Sequence, residues 1–203
     1  MNETMMENLS ILLQIIKSRD WLTLQHLTLD NPKVFRTISQ EISDCSQLNG
    51  MTLLHAAIRF DPPLHIVAEI IEICPHLLSA QDCLGRTPLH IASGSRARES
   101  LIKLLVDAYP KACAIRDNDG MTPLHMACNS SCKLFEGDNG NVRGPPSYEV
   151  VRALLLPSED SVTFEDVNEM SPIEYAILSN APLRVVRLLQ RSASRSLTAN
   201  SKS

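Results

Sequence analysis

The decapeptide LGRTPLHIAS, residues 84–93, returns as DGMTPLHMAC at 119–128, and in looser form as NGMTLLHAAI at 49–58 and NEMSPIEYAI at 168–177. Self-similarity at a fixed period is the mark of a stacked-repeat architecture. The anchor hydroxyls Thr52, Thr87, Thr122 and Ser171 are separated by 35, 35 and 49 residues. Fourteen residues after the anchor begin second apolar runs, IVAEII at Ile66, LIKLLV at Leu101 and VVRLLQ at Val185. In the third unit the matching run, VVRALL, begins at Val150, 28 residues after Thr122. All the extra length of the long spacing therefore falls between the two apolar runs of unit three.

Each unit reads as a helical hairpin. Thr87 suits an N-cap, because its hydroxyl accepts from the free amides of the first turn, and Pro88 then stands where a missing N–H costs nothing. Ser171-Pro172-Ile173-Glu174 spells a capping box. In the second run of unit two, Ala97, Leu101, Leu104, Leu105 and Ala108 fall on one helical stripe. Pro62, Pro63, Pro145, Pro146 and Pro182 mark the starts of second helices, and Pro75, Pro110 and Pro157 their ends. Gly50, Gly85 and Gly120 precede the caps and suit tight turns.

These residues resemble the ankyrin repeat, whose start is Gly-x-Thr-Pro-Leu-His. Gly85–His90 and Gly120–His125 match that start completely, and unit one departs only at Leu53. Unit four carries Glu169 for Gly, Ser171 for Thr, Ile173 for Leu and Glu174 for His, with Asn168 placed to supply a left-handed residue. The resemblance covers about residues 48–191 and implies an all-α ankyrin-repeat solenoid of stacked helix-turn-helix units with short hairpin-like loops between them.

Residues 1–47 read as a degenerate capping unit: Met5, Leu9, Leu12, Leu13 and Ile16 share one helical stripe, and DWLTLQHLTLDNP resembles a second helix. The array divides into about 48–82, 83–117, 118–166 and 167–191, with a glycine-rich insertion in 129–146 expected as a flexible surface excursion. Residues 192–203 are Ser-rich and expected to be a disordered tail.

Across 203 residues the net charge is −4 and aromatics make up 4%, so small and branched aliphatics must fill the core. The acidic balance argues against a nucleic-acid or anionic-membrane binder. No apolar run is long enough to span a membrane, and the N-terminus lacks the positive start of a secretory signal. The six cysteines are scattered rather than paired, as in a reduced intracellular protein, cytoplasmic or nuclear.

The chemistry-bearing side chains carry a structural reading first. His55, His90 and His125 recur a repeat apart, too far to share a metal; the resemblance gives each ring a hydrogen bond to its cap threonine and neighbouring backbone. His125, Cys128 and Cys132 stand at i, i+3 and i+7, which opens an alternative of zinc binding or thiol redox beside the insertion. Asp117 and Asp119, and Glu165, Asp166 and Glu169, read as solvated acidic turns that do no acid–base work. No catalytic residue, cofactor site or metal site is assigned, and the chain is not an enzyme by this reading. Arg184, Arg187, Arg191 and Arg195 form a local basic bias, read as a solvated helix face or as a docking patch for an acidic partner.

The resemblance implies a scaffold or adaptor, a monomer, that binds a protein partner through hairpin residues and those just past the small pair. Carried onto this sequence, these are Leu48, Asn49, Met51, Arg59 and Phe60; Cys83, Leu84, Arg86, Gly94 and Ser95; Asn118, Asp119, Met121, Asn129 and Ser130; and Val167, Asn168, Met170, Leu178 and Ser179. Met51, Met121 and Met170 share one hairpin position and would form an adaptable apolar track.

Overall fold

The chain begins with α1 (Glu3–Lys17), α2 (Trp21–Asp30) and α3 (Pro32–Ser43) in the computed structural model, which describes residues 3–43, 50–134 and 144–200. Four helix pairs follow: α4 (Leu53–Arg59) with α5 (Leu64–Ile73), α6 (Pro88–Gly94) with α7 (Glu99–Ala108), α8 (Pro123–Cys128) with α9 (Tyr148–Leu155), and α10 (Pro172–Leu178) with α11 (Leu183–Asn200). Short 3₁₀ turns at Pro75–Leu78, Pro110–Ala114 and Glu159–Thr163 close the second helices of the first three pairs. No strand occurs among the described residues.

The pairs stack in two layers. The short helices α4, α6, α8 and α10 pack in succession, and α5, α7, α9 and α11 do the same behind them. The first three short helices are buried nearly all round, with Leu53, Leu54, Ala57, Ile91, Ala92, Leu124 and Ala127 each 2% exposed or less, whereas α10 buries Pro172 and Ala176 and exposes Ile177 and Leu178. The long ones bury one stripe, such as Leu101, Ile102, Leu105 and Val106 of α7. Cys74, Cys113 and Cys128 fill core space as small hydrophobes.

Before the first pair, α1 lies against α4 and α2 against α5, so these two helices stand in for a leading unit. Leu12, Ile16, Leu24 and Phe35 are buried there, and Gln25 Nε2 donates to Glu69 Oε1 at 2.7 Å. The side chains of Met5 and Leu9 lie outside those described. Pro32 does more than end a helix: it occupies the first position of α3, a third helix that the sequence reading did not foresee.

Two further expectations need correction. The last helix runs to Asn200, so residues 192–200 are helical rather than disordered. Ser192 and Ser196, one turn apart, are 4% and 3% exposed against the Glu159–Thr163 turn, and Ser196 Oγ donates to Asp160 Oδ1 at 2.6 Å. Small residues make this contact, so a search for large apolar ones misses it. The insertion also begins as packed chain: Ser130 and Leu134 are buried, at 7% and 3% exposure. Residues 135–143 of that expected loop lie outside the described ones.

Candidate partner-binding face

Between successive pairs the chain folds into hairpins, each tied by a buried aspartate. Asp82 Oδ1 accepts from Leu84 N at 3.0 Å and Arg86 N at 2.9 Å; Asp117 Oδ1 accepts from Asp119 N at 3.0 Å and Met121 N at 2.8 Å. Asp166 repeats the pattern with Asn168 N at 2.8 Å and Met170 N at 3.0 Å. These three carboxylates are the structural core of the hairpins, where Asp117 and Asp166 had been expected as solvated turn residues. They differ electrostatically. Burial pushes Asp117 above the ordinary carboxylate range. Asp166 ends below that range: burial, the largest single influence, would raise it, and is outweighed by hydrogen bonds from Tyr175, Met170 and Asn168 together.

The hairpins also touch one another. Asn118 N donates to Leu84 O at 2.9 Å, and Val167 N donates to Asp119 O at 2.9 Å. Gly85 lies at φ 75°, and a Cβ there would come within 2.6 Å of Asn118 Oδ1 in the next hairpin. Two independent constraints thus demand glycine at this place. In unit four it is Glu169 itself, not Asn168, that takes the left-handed conformation, at φ 59°. No described hairpin follows it, so a side chain meets nothing there.

The recurring histidines bind adjacent units together. His90 Nδ1 accepts from Thr87 N at 3.0 Å and lies 2.8 Å from Thr87 Oγ1, which leaves Nε2 as the donor to Met121 O at 3.2 Å. His55 reaches Arg86 O at 2.8 Å and His125 reaches Phe164 O at 3.0 Å in the same way. Each ring is therefore a neutral imidazole with both nitrogens in use. Burial pushes His90 and His125 down to about 4. In unit four Glu174 closes the cap, accepting from Ser171 N and Ser171 Oγ at 2.7 Å each, but has no reach into a further unit.

Of the residues singled out for partner contact, Cys83, Leu84, Asn118, Asp119, Val167 and Asn168 are exposed on these hairpins, with Met51, Met121 and Met170 half-buried beside them. Arg59 and Leu178 are exposed, and Phe60, Ser95, Asn129 and Ser179 half-buried, at the far ends of the short helices. Leu48 and Asn49 lie outside the described residues.

Arg86, Gly94 and Ser130 are buried instead. Arg86 is clamped by Asp82, with Nε and Nη2 at 2.8 and 2.7 Å from Oδ2, and Nη1 donates to Leu134 O at 2.6 Å. Leu134 rests on Gly94, where an added Cβ would meet its Cδ2 at 2.7 Å. Ser130 N donates to Ser179 Oγ at 2.9 Å. The start of the insertion thus covers contact positions of unit two that the family pattern leaves open. The signal was in the sequence, since only a residue as small as Gly94 makes such a notch, but its occupant was not.

The zinc or redox alternative finds no support in this geometry. A metal on His125 would have to break a hydrogen bond at one of its nitrogens. Cys128 is fully buried and its thiol pushed up to about 12, so it is neither a thiolate ligand nor a ready nucleophile. No cluster of three or more metal-ligating side chains occurs among the described residues. No described helix is long and apolar enough to cross a membrane.

A family model of ankyrin repeats in three copies matches residues 23–137, and a single ankyrin-repeat model matches 119–162. No curated protein matches the chain. Ankyrin repeats are generally protein–protein interaction modules, and proteins built from them are typically non-catalytic.

Proposed function

This chain belongs to the ankyrin repeat family, and we propose that it is a non-catalytic scaffold or adaptor holding a protein partner against its hairpin tips. The single observation that carries this reading is the row of outward side chains on hydrogen-bonded hairpins, with Leu84 48% and Val167 66% exposed on backbone fixed by Asp82 and Asp166. Exposed apolar groups on a rigid support bind with little ordering cost. The proposed contact set is Leu48, Asn49, Met51, Arg59, Phe60, Cys83, Leu84, Ser95, Asn118, Asp119, Met121, Asn129, Val167, Asn168, Met170, Leu178 and Ser179. Arg86, Gly94 and Ser130 enter it only if the insertion moves off.

On this reading residues 1–47 cap the array and 48–191 form its repeats, in a monomer working inside the cell. The test is affinity capture from a native lysate, read by mass spectrometry, with wild type beside an Arg59→Glu, Asp119→Lys double variant. A partner retained by wild type and lost by the folded variant supports the reading. Identical partners on both would move binding off this face.

A further inference from the structure

The charge of the chain is divided sharply along its length. Residues 175–203 hold four Arg and one Lys and no acidic residue, so the other 174 carry 14 basic and 23 acidic side chains. The acidic part accounts for the overall balance and conceals a basic end. That end is built on α11, where Arg184, Arg187 and Arg191 stand at i, i+3 and i+7 and so share one face.

That face does not stand open to solvent on all sides. It forms one wall of a groove of about 410 Å3 whose lining includes Leu183, Arg184, Arg187, Leu188 and Arg191 from α11 and Tyr148 at the start of α9. Arg184 lies over the Tyr148 ring, 5.5 Å from its centroid, which fixes it at the groove wall. Glu149 is the acidic residue in the lining, and its carboxylate lies 3.4 Å from Arg152. Arg195 leaves the groove and pairs with Glu159 at 3.5 Å. Among the described residues no acidic side chain pairs with Arg184, Arg187 or Arg191.

We propose that this groove between α9 and α11 docks an extended acidic segment of a protein partner, separately from the hairpin face. The spacing favours a strand-like segment. Arg187 and Arg191 are four residues apart, about 6 Å along the helix axis. Side chains on one face of an extended chain repeat at about 6.7 Å. Acidic residues at alternate positions therefore meet Arg187 and Arg191 in succession, while the residues between them point away from α11. A bilayer surface fits less well, because a flat sheet of headgroups does not enter a groove between two helices. A nucleic-acid backbone would run from the groove onto the acidic remainder of the chain.

The experiment is fluorescence anisotropy with the full chain and a labelled peptide of about twelve residues bearing Glu at alternate positions between Leu and Ser, at about 50 mM salt, where a Debye length of roughly 14 Å leaves the charges felt. Three proteins are compared: wild type, an Arg187→Glu, Arg191→Glu double variant, and an Arg195→Glu variant whose changed charge lies outside the groove. Both variants replace only exposed side chains, and circular dichroism checks their folding. Saturable binding by wild type, weakened at least tenfold in the double variant and less than threefold in Arg195→Glu, supports the proposal. Absence of binding, or equal loss in both variants, overturns it. So does wild-type binding to mixed phosphatidylcholine–phosphatidylserine vesicles in preference to the peptide.

Discussion

Gly94→Ala should change sign with the residue opposite it. Within a helix this substitution ordinarily stabilises by about 0.5–1 kcal/mol, because glycine loses more freedom on folding. At Gly94 the new Cβ would lie 2.7 Å from Leu134 Cδ2 and 3.2 Å from both Cδ1 and Cγ. Rotating the end of the leucine relieves the contact with Cδ2 but not that with Cγ, so the side chain as a whole must shift by a few tenths of an ångström against its packed neighbours. Leu134 is 3% exposed, and forcing extra volume into such a packed site costs about 1–3 kcal/mol. The net expectation is destabilisation by about 1–2 kcal/mol. In a Leu134→Ala background nothing is left to displace, and Gly94→Ala should stabilise by about 0.5–1 kcal/mol. Urea midpoints of the four proteins, followed by far-ultraviolet circular dichroism, give the coupling directly. The same sign in both backgrounds would refute the docking of the insertion on α6.

Replacing the hairpin aspartates by asparagine should separate two that share a repeat position. Asp82→Asn strands the buried Arg86 guanidinium and should cost about 3–5 kcal/mol, whereas Asp117→Asn keeps its acceptor oxygen and should cost under about 1 kcal/mol in the same urea assay. Acid should weaken the stack through His90 and His125. Their folded values of about 4 lie below that of a solvated imidazole, so the unfolded chain takes up protons first. Stability is then full above pH ~6.5 and falls toward pH 4, by up to about 1.4 kcal/mol per pH unit for each ring; a midpoint unchanged between pH 7 and 5 would exclude this. Ending the chain after Gln190 should lower stability by about 2 kcal/mol, through loss of the Ser196–Asp160 hydrogen bond and its packing, where a disordered tail would be removed without effect.

The repeat units were legible because their signals are local. A cap hydroxyl, a proline at the first helical position and a histidine three residues on act within one turn, and α6 and α8 start where Thr87 and Thr122 place them. What escaped the sequence depends on contacts across units. Arg86 stands where Met51, Met121 and Met170 stand in the other hairpins, which suggested an exposed contact residue. Its burial follows from Leu134, nearly 50 residues away, whose carbonyl accepts its third bond. Asp117 and Asp166 looked solvated because turn carboxylates usually are, and only the closed hairpin shows their backbone partners. The end of α11 failed for the opposite reason: serines predict disorder when counted, and close packing when two of them share a face.

Units one to three are open-ended by construction, since a glycine leaves room for a neighbour and a histidine ring reaches across to hold it. Unit four, with Glu169 and Glu174, has neither socket nor arm. An engineer wishing to lengthen the array would therefore not begin by appending a consensus repeat behind it. Glu169→Gly and Glu174→His would first have to convert the fourth unit from a terminus into a platform. Growth by duplication inside the array meets no such barrier, which makes units two and three the natural templates for a longer protein.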